Sequence, residues 1–201
     1  MRYHKTLPAR LLVGALFVAA WCEARPSRAA DETRRPVFVG VQVCAQCHEG
    51  NGAGRQTEIW LQAKHAKAYA SLAMPQAWEI ARISGVPIQP QKSPLCLGCH
   101  ATGADTEESD KDDTFSFRDG VQCEKCHGPG SEHVDVRAGA AHSARLVGDL
   151  ANPSSADCMK CHKEKPSHTR VLGPQTYDVT DALRKIAHPT PTDAAGVKPK
   201  T

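Results

Sequence analysis

Cys44-Ala45-Gln46-Cys47-His48 opens a pattern that the chain repeats as Cys96-Leu97-Gly98-Cys99-His100, Cys123-Glu124-Lys125-Cys126-His127 and Cys158-Met159-Lys160-Cys161-His162. Cys-x-x-Cys-His is the attachment signature of a c-type haem. Two thiols three positions apart reach the two vinyl groups on one porphyrin edge and form thioethers. The adjacent imidazole then reaches the iron as proximal ligand. Cys44, Cys47, Cys96, Cys99, Cys123, Cys126, Cys158 and Cys161 are eight of the nine cysteines. The reading therefore implies four covalently attached haem c groups, with His48, His100, His127 and His162 as proximal ligands.

Other uses of the same residues fit less well. A zinc ribbon needs paired Cys-x-x-Cys knuckles about 15–20 residues apart. The spacing here is irregular, and zinc gives no reason for a His after every second Cys. A thioredoxin-like dithiol calls for one motif in a βαβ setting. A disulfide framework suits an oxidising compartment but ignores the histidines.

Upstream of the first motif, Arg2, Lys5 and Arg10 precede an unbroken small and apolar run at 11–21. This is the layout of a secretory signal peptide, and the run is too short to span a bilayer. The leader is expected over residues 1–29, with cleavage after Ala29 or after Ala24. Cys22 falls in this zone. Trp21 is too large for the small residue that precedes a lipidated cysteine, so loss of Cys22 with the leader is expected. The destination is periplasmic or extracellular, where this type of haem attachment takes place. The whole chain carries a formal net charge of +3, but from Ala30 onward 20 Lys plus Arg face 21 Asp plus Glu. The propionates of four haems add negative charge. No basic patch is left for nucleic acid, whereas a cationic partner surface fits.

Between the motifs, apolar spacing predicts helices. Ile59, Trp60, Ala63, Ala66, Tyr69 and Ala70 recur at helical spacing over 56–72. A second helix is expected from Pro75 to Ile83, with Gly85 just past its end, and a last short one over 181–187. A loose helix over 133–146 is weakened at Gly139. Residues 114–117 alternate Phe with polar side chains and predict a short strand or hairpin arm. The acid-rich run 105–113 predicts a solvated loop. Segments 37–43 and 87–94 read as extended leads into the first two motifs, and 189–201 as a disordered tail. Aromatic residues are only 5% of the chain, so a side-chain core would be thin and the porphyrins would supply much of the buried apolar surface.

Each iron has a second face. Setting aside His4 and the motif histidines leaves His65, His133, His142, His168 and His188. Methionine is nearly excluded: beyond Met1 there are only Met74 and Met159, and Met159 sits inside the fourth motif. Five spare histidines for four irons favour bis-His coordination, which lowers the potential relative to a His/Met haem and saturates the iron. A short repeat adds detail. His133 and His168 each stand six residues after their own motif's His, following a Pro and a Ser. So short a link does not wrap to the far face of the same haem and is better placed to reach a neighbouring one.

At these residues the chain resembles the tetrahaem cytochrome c-554 family, related in haem packing to hydroxylamine oxidoreductase. The matching residues are Val39-Gly40, Trp60, Lys64-His65-Ala66-Lys67-Ala68-Tyr69, Gly120-Val121-Gln122, Gly128-Pro129-Gly130 and the stretch 177–188. The resemblance spans about residues 38–188 and implies near-parallel stacking of the first haem with the third and of the second with the fourth. It implies His65 on the third haem, His133 on the first and His188 on the fourth, with a five-coordinate second haem able to bind a small ligand. This chain departs there by offering His168, which by analogy with His133 crosses to the second haem; His142 is the other candidate. The expected fold is mainly α with much irregular structure and little β, a multihaem cytochrome c organised around stacked haem pairs over 30–188. The expected function is electron transfer between a redox donor and an acceptor, with no integral membrane span. An open second haem would instead make a nitric oxide-type reductase. A distal His supplied by the next subunit would make a self-assembling extracellular filament.

Overall fold

The computed structural model describes residues 35–50, 54–137 and 150–188, which fall within one compact unit, Thr33–Thr201. The expected leader, Cys22, His142 and the tail lie outside the described residues. Short helices dominate: α1 (Val41–His48), α2 (Gln56–Gln62), α3 (Ala68–Ser71), α4 (Pro75–Ile83), α5 (Pro94–His100), α6 (Cys123–His127), α7 (Ser131–Arg137), α8 (Ser155–Met159), α9 (Pro166–Leu172) and α10 (Val179–Ile186). Irregular chain and 3-10 turns join them, so the fold is mainly α. Among the described residues there is no strand, and β-type pairing is confined to an isolated parallel bridge between Phe38 and Lys111.

Three of the four motifs are the ends of helices. α1, α5 and α6 terminate on His48, His100 and His127. A helical turn sets residues three apart on one face, which is what a pair of thioether-forming cysteines requires. In the fourth motif α8 stops at Met159, and Cys161 and His162 follow in a turn. α4 forms as expected, with Pro75 in its first turn and Gly85 in a left-handed conformation (φ 68°) just beyond its end. α10 begins two residues earlier than the pattern suggests, because the Asp178 carboxylate accepts the N–H groups of Thr180 and Asp181 at 2.8 and 3.0 Å.

Several expectations are corrected. The helix expected over 56–72 is broken into α2, a 3-10 turn over Lys64–Lys67, and α3, with Ala63 extended (ψ 155°) between them. The cause is tertiary: the His65 carbonyl accepts the Val121 N–H at 3.0 Å, which a continuing helix could not offer. Residues 114–117 form turns rather than a strand, with Thr114 Oγ1 donating to the Val39 carbonyl at 2.8 Å. In the segment 87–94 the chain takes a 3-10 turn at Pro90–Lys92, and from Val41 the lead into the first motif is already helical. Of the helix expected over 133–146, α7 occupies Ser131–Arg137, and residues 138–149 lie outside the described residues. The acidic run is pinned rather than merely solvated. Phe38 donates to the Asp110 carbonyl and accepts from the Asp112 N–H, both at 2.8 Å, while Arg35 pairs with Asp110 at 3.3 Å.

The interior is held by a polar hub more than by an oily core. Leu72, Leu97 and Ala101 form a small cluster with Tyr69, Cys96, Ala104 and Phe117 around it. The largest fully buried side chain is Gln122. Its Oε1 accepts the Val41 N–H at 2.7 Å, its Nε2 donates to the Ser116 carbonyl at 2.8 Å, and its own N–H reaches Thr102 Oγ1 at 2.8 Å. Trp60 Nε1 donates to the Val121 carbonyl at 2.7 Å. Glu124, only 4% exposed, accepts three backbone N–H groups at 2.8 Å: Val39 and Gly130 on Oε1, Gly40 on Oε2. One residue of the third motif thereby clamps the approach to the first.

Glu124→Gln tests that clamp. An amide offers one acceptor atom where the carboxylate offers two, so at least one buried N–H is left facing a donor, at a cost of about 1–3 kcal/mol. Burial pushes the Glu124 carboxyl above its ordinary value, against the downward pull of the three N–H groups. The check is the melting temperature of Glu124→Gln against the wild type at a pH where the carboxyl is ionised, where a deficit is expected.

Candidate functional site: four haem-attachment motifs and their facing histidines

The motif cysteines meet in a definite sequence. Cys44 of the first motif and Cys123 of the third are hydrogen-bonded to each other, and that bond together with burial holds the Cys44 thiol well above its ordinary range. Cys126 of the third motif is pushed up by burial and, next, by Cys158 of the fourth. Cys161 of the fourth is pushed up to about 11 by burial and by its hydrogen bond with Cys99 of the second. The thiol contacts thus join the first motif to the third and the fourth to the second, with Cys158 of the fourth acting at longer range on Cys126 of the third.

The histidines come in facing pairs. The rings of His48 and His133 have centroids 6.1 Å apart and planes inclined by 26°. His65 faces His162 at 5.8 Å and 59°, and His127 faces His188 at 5.9 Å and 46°. Two imidazoles on opposite sides of one iron should have centroids about 6 Å apart, from two metal–nitrogen bonds of about 2 Å plus the reach from each nitrogen to its ring centre. The three pairs therefore fit the span of a bis-His haem. Ligand-type side chains otherwise do not cluster: among the described residues no group of three or more His, Cys, Asp or Glu converges. A tetrahedral zinc site would need such a set.

Backbone carbonyls orient two of the motif histidines. His100 Nδ1 lies 3.0 Å from the Ala68 carbonyl and 3.3 Å from Ser71 Oγ, and His127 Nδ1 lies 2.8 Å from the Ala151 carbonyl. A histidine whose Nδ1–H is committed to a carbonyl presents Nε2 as its lone-pair nitrogen, the arrangement metal-ligating histidines use. The buried His48 Nδ1 has no hydrogen-bond partner among the described residues. Burial, reinforced by His162, lowers His65; burial alone lowers His162; and burial followed by the charges of His100 and Lys165 lowers His168. These imidazoles are neutral at pH 7, the form that binds iron.

The imidazole pairs differ from those the resemblance implies. His65 stands beside the fourth motif's His162, not the third motif's His127, and His188 stands beside His127, not His162. For His188 the packing supplies a reason: α10 lies on α8, and the segment leading into α8 is tied to His127 through Ala151. Tyr177 was not singled out for a role by sequence reasoning, yet its ring stacks on His162 at 4.1 Å with planes 8° apart. Its place in the matching stretch 177–188 was the available signal.

No helix among the described residues is long and apolar enough to cross a membrane. Residues 43–128 match the family described as cytochrome c554 and c-prime. Cytochrome c-554 of Nitrosomonas europaea is 34% identical over 101 residues, which cover 46% of this chain and 39% of that protein. The chain thus matches well under half the length of that relative, and no solved structure matches. The family match takes in the first three motifs and ends at Gly128, one residue past the third. On that segment, with its three Cys-x-x-Cys-His motifs, the chain is similar to the cytochrome c554 and c-prime family.

Proposed function

We propose that this protein is an exported tetrahaem c-type cytochrome that carries electrons between redox partners. Four haems, when attached, supply the one-electron chemistry. What the chain supplies is attachment, ligation and spacing. Cys44 and Cys47, Cys96 and Cys99, Cys123 and Cys126, and Cys158 and Cys161 anchor the groups, and His48, His100, His127 and His162 bind from the proximal side. His133, His65 and His188 close the far sides opposite His48, His162 and His127.

The observation that carries this reading is the set of three facing imidazole pairs, each about the width of a six-coordinate iron. Saturated iron suits electron transfer over substrate activation. The order of thiol contacts supports neighbouring haems on the first and third motifs and on the second and fourth, joined between the third and the fourth. A continuous line of attachment sites gives the chain two ends, one at the first motif and one at the second, through which a donor and an acceptor can be served separately. The acidic balance after Ala30, with the propionates added, supports a cationic partner surface. The 1–29 segment supports export to the periplasm or beyond.

The test is stoichiometric. Protein exported from a host competent in haem attachment is expected to carry four covalent haems by intact mass and by alkaline pyridine spectrum. Three or fewer, or zinc in place of haem, would sink the reading.

A further inference from the structure

The described residues hold eight histidines, and six of them form the three facing pairs. His100 and His168 are left. We propose that these two are the fourth pair, with His168 closing the far side of the second haem, so that no iron in the protein keeps an open coordination position. This rests on the four-haem reading above.

Two observations converge on it. First, the repeat behaves as a crossing device. His133 stands six residues beyond His127 yet faces His48 of another motif. His168 stands at the same offset from His162, whose facing imidazole is His65. Second, the elements bring His168 to the right neighbourhood. His100 is tied by Nδ1 to Ala68 and Ser71 at the two ends of α3, three residues lead from α3 into α4, and α9, which carries His168, packs on α4. Across that contact Arg170 of α9 acts on Glu79 of α4. With His100 Nδ1 already committed to a carbonyl, its Nε2 is the nitrogen left for iron.

The consequence is functional. A second iron with one protein ligand would take up small molecules; with His168 in place it relays electrons only. All four distal ligands then come from this chain, and no neighbouring subunit is needed to supply one.

The experiment uses the exported holoprotein. Low-temperature magnetic resonance of the ferric wild type is expected to show four low-spin haems, and the reduced protein is expected to take up no carbon monoxide. In His168→Ala one haem of the four becomes high-spin, the reduced variant binds one carbon monoxide per molecule, and added imidazole restores the low-spin state. His142→Ala leaves all four low-spin. Should His168→Ala not accumulate, His168→Met keeps the question decidable: a methionine ligand raises the potential of one haem. An open haem in the wild type, an unchanged spin state in His168→Ala, unchanged potentials in His168→Met, or an opened haem in His142→Ala would each overturn the assignment. Intact mass on the same samples separates the two levels, because fewer than four haems removes the parent reading, whereas four haems with an open second one removes only the role of His168.

Discussion

Gly120→Ala is expected to destabilise the holoprotein by roughly 3–5 kcal/mol and to release His65 from its facing position. Two independent costs add. Gly120 has φ 80° and ψ −141°, a backbone region that L-residues hardly enter. A Cβ at this position would also lie 2.6 Å from the His65 carbonyl and 3.2 Å from the Ala66 carbonyl. Both obstacles are backbone, so no side-chain rotation relieves them. The same approach lets Val121 N–H reach the His65 carbonyl at 3.0 Å and Gly120 O accept the Thr102 N–H at 2.9 Å. Pushing the 3-10 turn away therefore breaks the hydrogen bond that aims His65. Gly128→Ala is the control: its φ 82° and ψ 173° are equally unsuited to alanine, but nothing lies within 4 Å of the added carbon. It should cost about 1–3 kcal/mol. Thermal melting should rank wild type above Gly128→Ala above Gly120→Ala, and Gly120→Ala alone should show a high-spin fraction at the haem on the fourth motif. Equal melting temperatures for the two variants would refute the close-approach argument.

The same junction explains what the sequence could and could not tell. The motifs read directly, because thioether chemistry fixes their local spacing whatever the rest of the chain does. α4 also read directly, since Pro75 and Gly85 mark a helix whose start and stop are local. The break at Ala63 did not, because apolar spacing over 56–72 is helical on its own terms and only the distant Gly120-Val121 edge overrides it. His65 and His188 stand beside other motif histidines than the resemblance implies, for a related reason. Which iron a loop histidine faces depends on packing such as α10 on α8, and no spacing rule encodes that. Glu124 was hidden differently. It occupies a variable position of a motif, where a charged residue reads as solvent-facing, yet it is buried under the Val39-Gly40 backbone.

Without attached haem the chain is expected to lose cooperative folding altogether. The buried apolar side chains among the described residues are Val39, Val41, Leu72, Ala81, Leu97, Ala101 and Val121, and two of these are alanines. Beside them the interior holds the polar groups Gln122, Glu124, Thr102 and Ser93, whose hydrogen bonds specify geometry but each contribute only about 1 kcal/mol net. Meanwhile Leu61, Met74, Trp78, Ile88, Leu95, Met159 and Leu172 stand exposed. Leu95 sits next to Cys96, and Met159 lies between the two cysteines of the fourth motif, so part of this surface borders the attachment sites themselves. Covering apolar area yields about 25 cal/mol per Å², and porphyrins held by thioethers at those sites supply cover that the side chains lack. Binding to the folded state alone makes stability depend on the cofactor. The chain with all eight motif cysteines changed to serine, purified without haem, should give a non-sigmoidal melt, little near-ultraviolet dichroism and rapid proteolysis, whereas the holoprotein gives one sharp transition. A cooperative melt from the haem-free chain would mean that the polar hub around Gln122 and Glu124 suffices to define the fold, and the histidine pairs would then be set before any iron arrives.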